Sequence, residues 1–203
     1  ATQYYQVLRG EIEQRVREGK GPVTPDGEMG EEKYRLSVEG PPNWTSFRDF
    51  WKMFYDEGAV VVASTYSKVG GLYDFGFRHD ADNPLESLAD YCLGCYTNLN
   101  LPSRIDMICR YIDEYQADGL LINSIKSCNS FSAGQLLILR EVERRTGKPA
   151  AFIETDLVDP RYFSAANVKN RLESYFQMVK AKRGAGGGAT SDKPMIISGA
   201  AIN

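Results

Sequence analysis

The sequence predicts an α/β fold, a flavodoxin-like three-layer domain with a four-stranded parallel sheet, and three observations predict it. Four strand-like runs, Lys33–Gly40, Gly58–Tyr66, Asp118–Ile125 and Pro149–Leu157, alternate with helical patterns. That alternation builds a parallel sheet with helices on its faces. The second and third runs, "GAVVVASTY" and "DGLLINSI", are almost continuously apolar, as strands covered on both sides must be. The chain of 203 residues is also long enough to bury roughly 70% of its unfolded surface without covalent staples.

Taken in order, the first element is a helix. Tyr5, Leu8, Ile12 and Val16 recur at helical spacing and form an apolar stripe that requires something to pack on. With the loop "GKGPVTPDGEMGEE" it makes up residues 1–32, expected to pack on a missing or partner domain. The α/β domain occupies 33–182, with helices expected at Ser46–Asp56, Leu85–Cys95, Pro102–Gln116, Ser132–Thr146 and Ala166–Lys182. Phe47, Phe50, Trp51 and Phe54 share one face of the first of these and read as core. Leu88, Cys92 and Cys95 form a second such stripe, also read as core, and Cys109 sits among Ile105, Ile108 and Ile112. Ser132 with Gln135 fits a capping box. Residues 183–203, opening on "RGAGGGATSDKP", read as a flexible Gly-rich tail.

Composition excludes several classes of function. A net charge of −3 gives no electrostatic basis for binding nucleic acid or an anionic membrane. No apolar run is long enough to span a bilayer, and "ATQYYQVLRG" lacks the layout of a signal peptide. The start at Ala1 rather than Met reads as a processed or partial chain. Four cysteines in a chain with a sizeable core suggest a reducing cytoplasm with free or metal-bound thiols.

Open parallel sheets bind ligands beyond the carboxyl ends of their strands, where the strand order reverses. In a flavodoxin-like order the first and third strands meet there. Gly40–Trp44 and Lys126–Asn129 then flank one crevice, with Cys128 facing Trp44 across it. A cysteine between polar residues and just ahead of a helix is placed to ionise, and a thiolate either ligates metal or attacks electrophiles. One cysteine cannot hold an iron–sulfur cluster, so its co-ligands lie elsewhere or it acts as a nucleophile. "CLGC" at Cys92–Cys95 is the other source of thiolates, but a single C-x-x-C is weak evidence of a metal site.

Other features are less informative. His79, the only histidine, stands in a polar loop and reads as solvated. "KVGGLYDFG" fits neither a Rossmann fingerprint nor a P-loop and reads as an ordinary loop. A flavin binder needs phosphate-cradling donors after the first strand, where Pro41 and Pro42 remove two. A phospho-receiver needs an aspartate after the third strand, which instead ends in Ser124, Lys126 and Cys128. A non-catalytic interaction domain is the remaining alternative.

The stretch from "DGLLINSIKSCNSFSAGQ" through "FIETDLVDPRYF" to "NRLESYFQMV" carries a strand, Ser-Cys, a helix with Gly-Gln, Glu-x-Asp and Asp-Pro-Arg. It resembles the C-terminal region of the 2-hydroxyacyl-CoA dehydratase and benzoyl-CoA reductase family. "EGPPNWTSFRDFWKMFYDEGAVVVAS" and "DYCLGCYTN" resemble the reductase branch of that family, at its B-type subunit position. The resemblance runs from Tyr4 to about Val179 and implies an oxidoreductase in which B- and C-type subunits hold benzoyl-CoA and [4Fe–4S] clusters. It implies that A- and D-type partners hydrolyse ATP and deliver electrons from reduced ferredoxin, and that the product is a cyclic dienoyl-CoA. Cys128 matches the family's last cluster ligand; the other ligands fall outside this chain. Trp44, Asn43 and Lys126 are expected to contact substrate, on cleft geometry alone. The related expectation is a dehydratase subunit, in which the same machinery injects an electron transiently.

Overall fold

The computed structural model describes residues 2–24, 27–67 and 76–185. Helix α1 (Thr2–Arg17) leads into an antiparallel hairpin, β1 (Lys20–Val23) and β2 (Met29–Glu31). The sheet strands follow: β3 (Tyr34–Glu39), β4 (Ala59–Ser64), β5 (Gly119–Ile125) and β6 (Ala150–Thr155), in spatial order β4-β3-β5-β6 and all parallel. Between them lie α2 (Phe47–Asp56), α3 (Pro84–Leu93), α4 (Leu101–Glu114), α5 (Asn129–Ser132) and α6 (Gln135–Thr146), and α7 (Ala165–Ala185) closes the described chain.

Alternation along β5 divides the core into two layers. Leu120 and Ile122 meet Ile105, Ile108, Tyr111, Ile138 and Val142 of α4 and α6. Leu121 meets Phe50, Phe54, Leu172, Tyr175 and Phe176 of α2 and α7 on the opposite face. Helix α4 starts where expected because Asn100 accepts a hydrogen bond from Ser103 N at 2.9 Å and Pro102 occupies the first turn. Strand β6 forms one edge of the sheet, and two of its backbone groups are engaged by side chains. Ala150 N donates to Glu143 Oε1 at 2.9 Å, and Arg171 Nη1 donates to Phe152 O at 2.8 Å.

Six expectations change. The loop after α1 contains the β1–β2 hairpin. The helix expected over Ser132–Thr146 is two helices, α5 and α6, separated at Gly134 with φ +81°. The Ser132–Gln135 capping box does not form, because the buried Gln135 side chain turns inward. In the α2 stripe Phe50 and Phe54 are buried, but Phe47 is exposed and Trp51 only half-buried. The stripe on α3 is not core: Cys92 is exposed, and Leu85, Leu88 and Leu93 are open to solvent. Cys109, by contrast, packs against the α4–α6 core, where burial pushes its thiol pKa up. Helix α1 has no buried residue. Helix α7 runs three residues past its expected end, and Arg183 bonds Asp118 and the carbonyl of Lys33. The rest of the tail and Lys68–Phe75 of "KVGGLYDFG" lie outside the described residues.

Candidate functional site

The carboxyl ends of β3, β5 and β6 converge, and their loops are bonded to one another. Asn123 of β5 donates from Nδ2 to Pro41 O at 2.7 Å and accepts from Thr155 Oγ1 of β6 at 2.8 Å. Trp44 N donates to Leu157 O at 3.2 Å. Gly40, at φ +101°, lies so close to β5 that a Cβ there would stand 2.2 Å from Asn123 O, so only glycine fits. The third loop is held by Asp156, whose carboxylate accepts from Ser127 N at 2.9 Å and from Val158 N and Asp159 N at 3.1 Å. Burial opposes that charge, yet these hydrogen bonds bring its pKa down to about 2.

Aromatic rings connect the two sides of the crevice. Trp44, 52% exposed, stacks on Phe47 with ring centroids 5.6 Å apart and meets Tyr66 edge-on at 6.3 Å. Tyr66 reaches Phe131 of α5 at 6.4 Å, and Phe131 stacks on Tyr96 at 5.8 Å. Phe131 N in turn donates to Cys128 O at 3.2 Å. A relay of ring contacts therefore runs from Trp44 through Tyr66 to Phe131, beside the Cys128 turn.

Cys128 is the residue before α5, half-buried, and its side chain makes no capping hydrogen bond. The expected contribution of a helix dipole is withdrawn, because α5 is only four residues long. Cys128 packs against the α4–α6 core layer, as Cys109 does, while its thiol stays partly accessible. No group of three or more His, Cys, Asp or Glu side chains could hold a metal among the described residues. A cluster held at Cys128 would need its other ligands from outside the described residues.

The remaining candidates differ in character. Asn43 is fully buried, and both polar atoms of its side chain lack a hydrogen-bond partner. An unpaired buried amide is costly unless something else satisfies it. Lys126 points away from Cys128, lying 3.5 Å from Glu154 and 5.2 Å from the ring centroid of Tyr162. Those residues line a cavity of about 260 Å³ with Arg161 and Arg171. His79 is exposed, with Nδ1 3.3 Å from Ser87 Oγ.

Sequence reasoning missed Glu39, although a charged residue ending a buried strand in "LSVEG" was the signal available. It is completely buried, with Oε1 accepting from Tyr96 Oη at 3.1 Å and Oε2 from Gln135 Nε2 at 2.5 Å.

The chain belongs to the 2-hydroxyglutaryl-CoA dehydratase D-component family, whose profile matches residues 1–179. It is 78% identical over 191 residues to the B-type subunit of benzoyl-CoA reductase from Thauera aromatica, covering 94% of this chain and 44% of that protein. Identity falls to 26% over 182 residues with the (R)-2-hydroxyisocaproyl-CoA dehydratase alpha subunit of Clostridioides difficile, covering 90% of this chain and 42% of that one. With the (R)-2-hydroxyglutaryl-CoA dehydratase alpha subunit of Acidaminococcus fermentans it is 24% over 181 residues, covering 89% and 35%. The chain therefore spans less than half the length of these relatives.

Proposed function

We propose that this chain is the C-terminal part of the substrate- and cluster-binding subunit of an ATP-dependent reductase that converts benzoyl-CoA to a cyclic dienoyl-CoA. The carrying observation is the 78% identity to the B-type component of a benzoyl-CoA reductase, against 26% or less to the dehydratase subunits. In this reading the complete enzyme works in the cytoplasm of an organism degrading aromatics anaerobically. It pairs the subunit with a C-type cluster subunit, and A- and D-type partners hydrolyse ATP and pass on electrons from ferredoxin.

Cys128 would hold one iron of a [4Fe–4S] cluster whose other ligands lie outside this chain. When bound, that cluster supplies electrons at very low potential; such centres reach about −700 mV at their extreme. The chain's own residues do the rest. The loops stitched together by Asn123, Gly40 and Asp156 fix the position of Cys128 relative to Trp44. Trp44 with Phe47 forms an apolar wall for the aromatic acyl group, which helps exclude water. Asn43 is the polar contact for the thioester, consistent with its unpaired buried amide. Lys126, facing the cavity at β6, is placed to meet the polar CoA arm.

The complete anaerobic assembly, given benzoyl-CoA and a 2-hydroxyacyl-CoA in turn, tests the reading. Stoichiometric electron consumption with benzoyl-CoA is expected. Dehydration of the hydroxyacyl substrate without net electron consumption would assign the chain to a dehydratase instead. Replacing Cys128 by Ala should strip iron and the cluster's EPR signal, and unchanged iron would remove Cys128 from the ligand set.

A further inference from the structure

Glu39 combines three properties that packing alone does not require. It is a carboxyl buried at the crevice end of the central strand β3, and each of its oxygens accepts a hydrogen bond from an uncharged donor. Arg104, the cation facing it, is occupied elsewhere. Its guanidinium donates to Leu99 O, Ser130 O and Thr97 O at 3.1, 2.9 and 2.6 Å and lies over the Tyr96 ring at 5.2 Å. The two groups that bond the carboxyl, Tyr96 and Gln135, are neutral, Tyr111 acts electrostatically on Tyr96, and the neutral Asn123 and Thr65 adjoin the next residue, Gly40. Burial without a salt bridge raises the Glu39 pKa to about 7, against the lowering effect of Gln135, Tyr96 and Arg104.

The second observation is where this carboxyl sits. Tyr96, which bonds it, stacks on Phe131, and Phe131 is hydrogen-bonded to the backbone of Cys128. Two stacked rings, Tyr96 and Phe131, therefore lie between Glu39 and the turn that carries Cys128. An added negative charge behind such a low-dielectric layer raises the cost of a second one nearby, and protonation of the carboxylate offsets it.

We propose that Glu39 is the proton-holding group coupled to the cluster that Cys128 would help to hold: its carboxyl would carry one proton for each electron stored there from the partner's low-potential donor, and would give that proton up when the electron leaves. Charge is balanced, one proton for one electron in each direction. Reduction of an aromatic ring consumes protons and electrons in equal number, so a site that stores both together suits that chemistry. This inference rests on the reductase reading of the site. It assigns Glu39 a positioning role, with no contact to substrate.

The test is a redox titration of the complete anaerobic assembly, followed by cluster EPR between about pH 6 and pH 9. In the wild type the midpoint potential should fall as pH rises past about 7, approaching about 59 mV per tenfold drop in proton activity for a one-electron couple. Glu39→Gln should abolish that dependence. Tyr96→Phe keeps the ring on Phe131 but removes a hydrogen bond favouring the charged carboxylate, so the onset should move to higher pH. A wild-type potential indifferent to pH, or an unchanged slope in Glu39→Gln, overturns the proposal. If Glu39→Gln does not fold, an unmoved onset in Tyr96→Phe overturns it equally. Absence of any cluster signal in the wild type would instead refute the reductase reading, and this proposal with it.

Discussion

Glu39 also governs a stability effect that needs no cofactor. Its folded pKa of about 7 lies above the ordinary 4.5, so the folded chain binds that proton more tightly than the unfolded one. Stability therefore falls as pH rises from about 4.5 to about 7 and is level beyond, the whole change being on the order of 3 kcal/mol. Denaturant melts of Glu39→Gln should lose that dependence over the same window, and an unaltered profile would show the carboxyl to be ordinary. At Trp44 the expected outcome is different. Trp44→Ala should raise KM for the aromatic thioester while leaving the cluster EPR signal unchanged, because the indole stacks on Phe47 at the mouth and supports no core. The position of Cys128 between β5 and a helix was legible, because a polar-flanked cysteine behind an apolar strand is conspicuous in sequence. Glu39 was not, since its partners Tyr96 and Gln135 are 57 and 96 residues away in sequence.

At the scale of elements, periodicity located all four sheet strands; the apolar run of β5 marked a strand buried along its whole length, whereas the equally apolar β4 is an edge strand with Val61 exposed. Their carboxyl ends followed from topology alone. Periodicity failed where one residue overrides a local pattern. Gly134, left-handed at φ +81°, breaks the expected helix into α5 and α6 and frees Gln135 for Glu39. The hairpin β1–β2 escaped notice because its strands are only four and three residues long and rich in glycine. The crevice depends on the approach of β3 to β5 at Gly40. Gly40→Ala must push a methyl group into Asn123 O and adopt an unfavourable φ. It should cost roughly 3 kcal/mol or more in thermal or denaturant unfolding, and a near-neutral result would mean that the loop can yield.

For the whole molecule, two apolar surfaces stand out: α1, with Tyr4, Tyr5 and Val7 exposed, and α3, with Leu85, Leu88 and Leu93. Reading the α3 stripe as core was sound in its periodicity, but helical spacing reports a face to be covered and not which chain covers it. We propose that α1 packs on a missing or partner domain and that α3 is likewise covered in the complete enzyme. Cys92 should then resist alkylation in the complete anaerobic enzyme until it is unfolded, and prompt labelling in the folded enzyme would show α3 to be uncovered.

The Glu143 and Arg171 side chains that occupy outward backbone groups of β6 bear on how neighbours can attach. A foreign strand adding at that margin has to displace both side chains first, which disfavours continuing this sheet from another polypeptide on that side.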